Sequence, residues 1–104
     1  MQLRVRLHLL TELEGGRRSP ILSDYRPDWD NGDRRPDGSI NYHIGRIIGL
    51  TVEPLARGAE AEADLEVYRP EAWARVRPGD RLTCFEGPQA VGHAIVLSFG
   101  TEEP

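Results

Sequence analysis

Residues 3–9, with the sequence Leu-Arg-Val-Arg-Leu-His-Leu, decide the fold class of this 104-residue chain. Apolar and polar side chains alternate along the stretch with a period of two, so they lie on opposite faces of an extended backbone. A loop signal, Glu-Gly-Gly, follows at residues 14–16. The chain therefore begins with a β-strand that has one buried face and one solvated face.

Five further segments have the apolar content or the alternation of strands. They are residues 20–25, 40–52, 62–68, 81–86 and 91–99. In the last segment, Val91, Ile95, Leu97 and Phe99 are predicted to share the buried face, provided that a bulge intervenes. The sequence thus predicts six strands.

Glycines and prolines indicate where this chain bends. Gly45 and Gly49 interrupt the third predicted strand, as glycines do at the bulges and bends that curve a barrel. Residues 70–76 are predicted to contain one helical turn that starts at a proline and caps the barrel end with Trp73. Residues 78–79, Pro-Gly, fit the centre of a type II turn.

Residues 26–39 are predicted to form a long exposed loop. Two prolines, two glycines and five acids or amides leave little in this run that could pack in a core. Trp29 has two interpretations: it packs the loop onto the barrel, or it serves with Arg26 as a contact for a protein partner.

Short strands with regular turn signals are typical of an all-β barrel or a β-sandwich. The length is that of a single domain, residues 1–104. The strand pattern by itself leaves barrel and sandwich open.

The composition argues against several functions. A net charge of −4, with 13 arginines and no lysine, lacks the basic excess of a typical nucleic-acid-binding domain. No apolar run is long enough to span a bilayer, and the first residues lack the apolar stretch of a signal peptide. We expect a cytoplasmic protein with no membrane partner.

No combination of residues predicts catalysis. The three histidines, His8, His43 and His93, lack metal-ligand spacing and are interpreted as surface or half-buried strand residues. Cys84 alternates with Leu82 and is predicted to be a small core residue. The phosphate-binding loop of nucleotide-hydrolysing enzymes requires a lysine, which this chain lacks. We predict a protein that is not an enzyme and that uses no cofactor, metal or nucleotide.

Two motifs resemble the carboxyl-terminal barrel domain of elongation factor Tu. The first is residues 14–20, Glu-Gly-Gly-Arg-Arg-Ser-Pro, with residues 25–27, Tyr-Arg-Pro, at the family's spacing. The second is residues 86–92, Glu-Gly-Pro-Gln-Ala-Val-Gly, and residues 69–70, Arg-Pro, also match. The resemblance covers nearly the whole chain and implies a six-stranded antiparallel closed barrel.

The resemblance also implies a function. In that family the domain binds the T stem of aminoacyl-tRNA and docks against the GTPase domain. The RNA-contacting positions that carry over are Arg17, Arg18, Ser19, Arg69, Glu86 and Gly87. Arginine forks suit phosphate oxygens, and a duplex RNA stem is recognised largely by its shape.

We therefore expect a non-catalytic binding module whose ligand is tRNA or another structured RNA. The alternative is a protein–protein interaction module that has lost RNA binding. That alternative would use Trp29, Arg26 and the 26–39 loop, or would form a homo-oligomer.

Overall fold

The structure is a computed structural model that describes residues 1–99. Six antiparallel strands close into a barrel in the order β1-β4-β3-β2-β5-β6. Their bounds are β1 Gln2–Leu9, β2 Asp28–Asp30, β3 His43–Ile48, β4 Glu60–Val67, β5 Arg81–Glu86 and β6 Gln89–Phe99. The predicted all-β six-stranded closed barrel is confirmed.

The core consists of the inward-facing residues of these strands. In β1 and β4 every second side chain is buried, as the alternation predicted, while the intervening charged residues pair on the outer face. Arg4, for example, lies 3.3 Å from Glu62 and 3.4 Å from Asp64. Each fully buried leucine contributes about 1.5–3 kcal/mol relative to an exposed one, so the three buried leucines of β1 favour closure of the barrel.

Because neighbouring strands are antiparallel, the loops gather at two ends of the barrel. The upper end carries residues 10–27, residues 49–59 and the turn at residues 87–88. The lower end carries residues 31–42 and residues 68–80. These two names are used below.

The second strand lies elsewhere than predicted. Residues 20–25 form no barrel strand and contribute an isolated bridge between Ile21 and Leu55. The barrel strand is β2, inside the stretch predicted to be an exposed loop, because Trp29 is fully buried and donates its indole N–H to the Gly45 carbonyl at 3.1 Å. Burial of one tryptophan side chain is enough to place this segment in the barrel, because the polar residues around it remain on the outer face.

The inward face of β6 also differs from the prediction. Register shifts occur opposite Cys84 and Phe85 in β5 and opposite Arg4 and Val5 in β1. The buried residues of β6 are therefore Val91, Gly92, Ala94 and Val96. The prediction that Ile95, Leu97 and Phe99 share the buried face with Val91 is wrong because the bulge opposite Cys84 and Phe85 moves the buried positions to Gly92, Ala94 and Val96.

The predicted turns after β4 are confirmed. A 3₁₀ turn spans Pro70–Trp73, and Trp73 is fully buried. Gly79 has a φ of +92°, and the Asp80 amide donates to the Arg77 carbonyl at 3.0 Å, as a turn centred on residues 78–79 requires.

In β3, Gly45 leaves the space that Trp29 fills, since a Cβ there would lie 3.1 Å from the indole.

Candidate functional site

Arg17, at the upper end, is held by the protein itself. Its Nε donates to Glu86 Oε2 at 2.8 Å, and its Nη1 donates to the carbonyls of Ser19 and Pro20 at 2.7 and 3.0 Å. Its guanidinium carbon lies 5.1 Å from the ring centroid of Tyr25. This clamp fixes the loop after β1 onto the end of β5, and it leaves Arg17 few donors for a ligand.

Tyr25 completes the same cluster. Its hydroxyl donates to Glu86 Oε2, the atom that also accepts from Arg17. Burial, and then the hydrogen bond to Glu86, raise the pKa of Tyr25 far above its usual range. Tyr25 therefore remains a neutral hydrogen-bond donor. A second tie between the same loop and hairpin runs from Gln89 Nε2 to the Gly15 carbonyl at 2.6 Å.

Five of the six residues assigned to RNA by the resemblance lie together at the upper end. They are Arg17, Arg18, Ser19, Glu86 and Gly87. Arg18 is exposed, and its side chain makes no hydrogen bond or ion pair within residues 1–99. Among these five residues, Arg18 is the cation with all its donors available.

Arg69 lies at the opposite end. It follows β4, which runs toward the lower end, whereas Glu86 ends β5, which runs toward the upper end. The register nevertheless places Phe85, Asp28 and Ile44 in one row beside Tyr68, so Arg69 and Glu86 are separated across the sheet rather than along a strand. The six residues therefore do not form one continuous patch, because β3 and β2 lie between Arg69 and the other five.

The two residues assigned to a protein partner have different positions. Trp29 has no exposed surface, so its interpretation as a partner contact is wrong, and the alternative that it packs onto the barrel is the one observed. Arg26 is exposed and makes no ion pair among the described residues. Its role as a partner contact stays a prediction.

The sequence analysis missed an apolar surface on the outside of the barrel. Tyr42, Ile44 and Tyr68 are 39%, 52% and 47% exposed, and the Phe85 ring packs edge-on against Tyr42 with centroids 5.2 Å apart. These four residues are called the aromatic surface. A groove of about 260 Å³ opens between Tyr42, Ile44 and Tyr68, with Arg69 on its rim.

This surface could have been found from the sequence, because its apolar residues occupy outward-facing positions in the alternation of the strands. Tyr68 continues the acidic, outward register of β4, and Phe85 is out of phase with the buried Leu82 and Cys84. Ile44 lies between the inward-facing residues of β3. Apolar residues in the solvated register of a strand indicate a contact surface when several lie on neighbouring strands.

Arginine–carboxylate pairs surround the aromatic surface. Arg34 pairs with Asp30 at 2.8 Å, and Arg46 pairs with Glu66 at 3.0 Å. These pairs satisfy Arg34 and Arg46 within the chain. Arg69 is less fully engaged, since Nε donates to Glu71 while its terminal nitrogens have no partner within residues 1–99.

Asp33, at the lower end, forms hydrogen bonds with two side chains of the same chain. Its Oδ2 lies 2.9 Å from His43 Nε2 and accepts from Asn41 Nδ2 at 2.9 Å. The hydrogen bonds from His43 and then Asn41 lower the pKa of the Asp33 carboxyl. His43 was expected at the surface or half-buried, but its side chain is only 9% exposed, because it faces inward beside Trp73 with ring centroids 6.4 Å apart.

Two observations concern the cysteine and metal binding. Cys84 is fully buried, as predicted, and burial raises the pKa of its thiol to about 12, so the nucleophilic thiolate is not formed near neutral pH. Within residues 1–99 no group of three or more His, Cys, Asp or Glu side chains is placed to hold a metal ion.

No helix among these residues is long and apolar enough to cross a membrane. No protein-family model matches the chain.

Proposed function

We propose that this chain is a non-catalytic binding module that contacts a protein partner through the aromatic surface. The observation that carries the proposal is the grouping of Tyr42, Ile44, Tyr68 and Phe85 on one outer face. Aromatic side chains and arginine are enriched at the centres of protein interfaces, and polar groups form the rim. The arginine–carboxylate pairs around this surface correspond to such a rim.

The distribution of charge also favours a protein partner. The chain has a net charge of −4. Arg17 already donates three hydrogen bonds, one to Glu86 and two to backbone carbonyls. A ligand with many phosphates would meet few available cations at either end. A protein partner needs only shape, apolar contact and a few matched charges.

Site-specific crosslinking tests the proposal. A photoreactive benzoylphenylalanine would replace Ile44 in cells, and a control variant would carry it at Arg35, an exposed lower-end residue outside the aromatic surface. We expect a discrete protein adduct from position 44 and none of the same mass from position 35. No adduct at position 44, or the same adduct at both positions, would overturn the proposal.

A second candidate is RNA binding through the upper end. The resemblance to elongation factor Tu supports it, and so does Arg18, whose guanidinium has no partner within residues 1–99. The clamp formed by Arg17 and Glu86 would then position Arg18 and Gly87 rather than contact phosphate directly. With so few cations, binding would be weak and its dependence on salt shallow.

Titration with tRNA separates the candidates. Fluorescence anisotropy at low and moderate salt would compare the unmodified chain with Arg18→Glu, and Arg35→Glu would be the matched control at the other end. RNA binding predicts a loss of affinity for Arg18→Glu only. No binding at low salt, or an equal loss in both variants, would contradict the RNA candidate.

A further inference from the structure

Two opposite charges lie on either side of Ile44 in the aromatic surface. Asp28 faces outward from β2, and its carboxylate has no hydrogen bond or ion pair within residues 1–99. On the other side Arg69 is 72% exposed, and its terminal nitrogens are without a partner among the same residues. The remaining arginines around the surface, Arg34 and Arg46, are paired with carboxylates of the chain.

The strand register places these charges in about one row across three neighbouring strands. Asp28 pairs directly with Ile44, and Gly45 pairs with Val67, so Tyr68 lies beside Ile44 and Arg69 follows it. β3 therefore separates the two charges. With about 4.8 Å between neighbouring strands, their separation across the surface is on the order of 10 Å.

Such an arrangement is complementary to itself. If a second chain faces the first after a rotation of 180° about an axis along β3, the two copies of Ile44 meet near the axis. Asp28 of each chain then faces Arg69 of the other. In an interface of this symmetry, each contact between two residues occurs twice. The same rotation therefore pairs the opposite charges and brings the apolar centres of the two chains together.

We infer that the partner of the aromatic surface is a second copy of this chain. The inference rests on the proposed function and specifies its partner. Pairing of two copies requires no additional ligand, since Asp28 and Arg69 of the same surface supply the complementary charges. Four apolar residues form a small interface, so the dimer is reversible and dissociates on dilution.

Sedimentation velocity of the full chain tests this pairing. The unmodified chain is expected to shift with concentration from 11.7 kDa toward twice that mass. Arg69→Asp would place two carboxylates opposite each other at both contacts, and Asp28→Arg would place two arginines there. Each variant alone is therefore expected to remain monomeric at concentrations where the unmodified chain dimerises.

An equimolar mixture of the two variants gives the decisive result. In the mixed pair, both contacts again join an arginine to a carboxylate, so the dimer is expected to return. Arg35→Asp, at an exposed position outside the surface, serves as a charge-matched control that keeps the dimer. Restoration in the mixture also demonstrates that both variants are folded.

Three results would overturn the inference. They are a monomeric unmodified chain at every concentration, a dimer that tolerates both charge reversals, and two monomeric variants that fail to pair when mixed. A monomeric chain that crosslinks from position 44 to a protein of another mass would retain the proposed function and overturn only the self-pairing. Failure of both experiments would reject the proposed function as well.

Discussion

The upper end and the aromatic surface differ in how their side chains are satisfied. At the upper end, Arg17, Tyr25 and Glu86 are joined to one another, and Gln89 ties the hairpin to the loop after β1. On the aromatic surface, Ile44 and Tyr68 direct their apolar groups toward solvent. Groups that the chain satisfies internally contribute to its own stability, whereas unsatisfied exposed groups are available to a partner. Motif matches alone direct attention to the first of these two regions and give no indication of the second.

The largest expected effect comes from the core beneath the aromatic surface. Trp29→Ala removes a fully buried indole and its hydrogen bond to Gly45, and it should destabilise the fold by about 3–5 kcal/mol. Urea denaturation of the variant and the unmodified chain measures the difference. A loss below about 1 kcal/mol would mean that β2 is not part of the core.

A smaller loss of stability is expected at the upper-end clamp. Glu86→Ala leaves the Arg17 guanidinium and the Tyr25 hydroxyl without their shared acceptor, at a cost of about 1–3 kcal/mol. The control is Glu71→Ala, because the pair between Glu71 and Arg69 is exposed and contributes little to stability. Equal unfolding free energies for the two variants would remove the distinction between the regions.

The aromatic surface should show the reverse behaviour. Tyr68→Ser is expected to change the free energy of unfolding by less than about 0.5 kcal/mol, since the side chain is largely exposed. The same change should abolish the adduct formed from position 44 and weaken dimerisation in sedimentation experiments. Strong destabilisation with intact binding would show that Tyr68 belongs to the fold rather than to the interface.

The smallest effect concerns pH at the upper end. Glu14 Oε1 accepts from the Thr11 amide at 2.9 Å, and hydrogen bonding from the Thr11 backbone and then its side chain lowers the pKa of the Glu14 carboxyl. Because the folded pKa lies below the ordinary value of 4.5, the stabilisation is complete above that pH and is lost as the pH falls through the folded pKa. The Thr11 amide resonance should report this titration by NMR.

Two variants make that measurement specific. Glu14→Gln should abolish the acid-dependent change at Thr11, while Glu12→Gln should leave it intact, because Glu12 contacts Arg57 instead. The resonances of Ile44 should not move over the same pH range, since the aromatic surface does not contact this loop. A titration of Ile44 together with Thr11 would indicate that the two regions are coupled.

Alternation of residue types was sufficient to predict β1 and β4. Their buried residues, such as Leu3 and Leu65, recur at every second position without interruption. The same reasoning failed for β2, because a three-residue strand with one buried side chain has no period to detect. It failed in part of β6 because the bulge opposite Cys84 and Phe85 reverses the direction of the side chains that follow it.

The candidate sites were predictable only in part. The resemblance brought attention to Arg17 and Glu86, which do meet, although they lie 69 residues apart in the chain. It gave no indication that most Arg17 donors would be occupied within the chain, or that Arg69 would lie at the lower end. The aromatic surface has members from β3, β5 and the segment after β4, so no local pattern contains it.

By itself, the sequence determined an all-β chain of six strands, because the period of apolar residues depends only on local backbone geometry. Its glycines and prolines also determined where the turns after β4 lie. Only the tertiary structure decided which segment became β2, which arginines were paired, and which apolar residues remained outside. The physical reason is that burial and ion pairing depend on which distant strands become neighbours when the barrel closes, as they do for Asp28 beside Ile44.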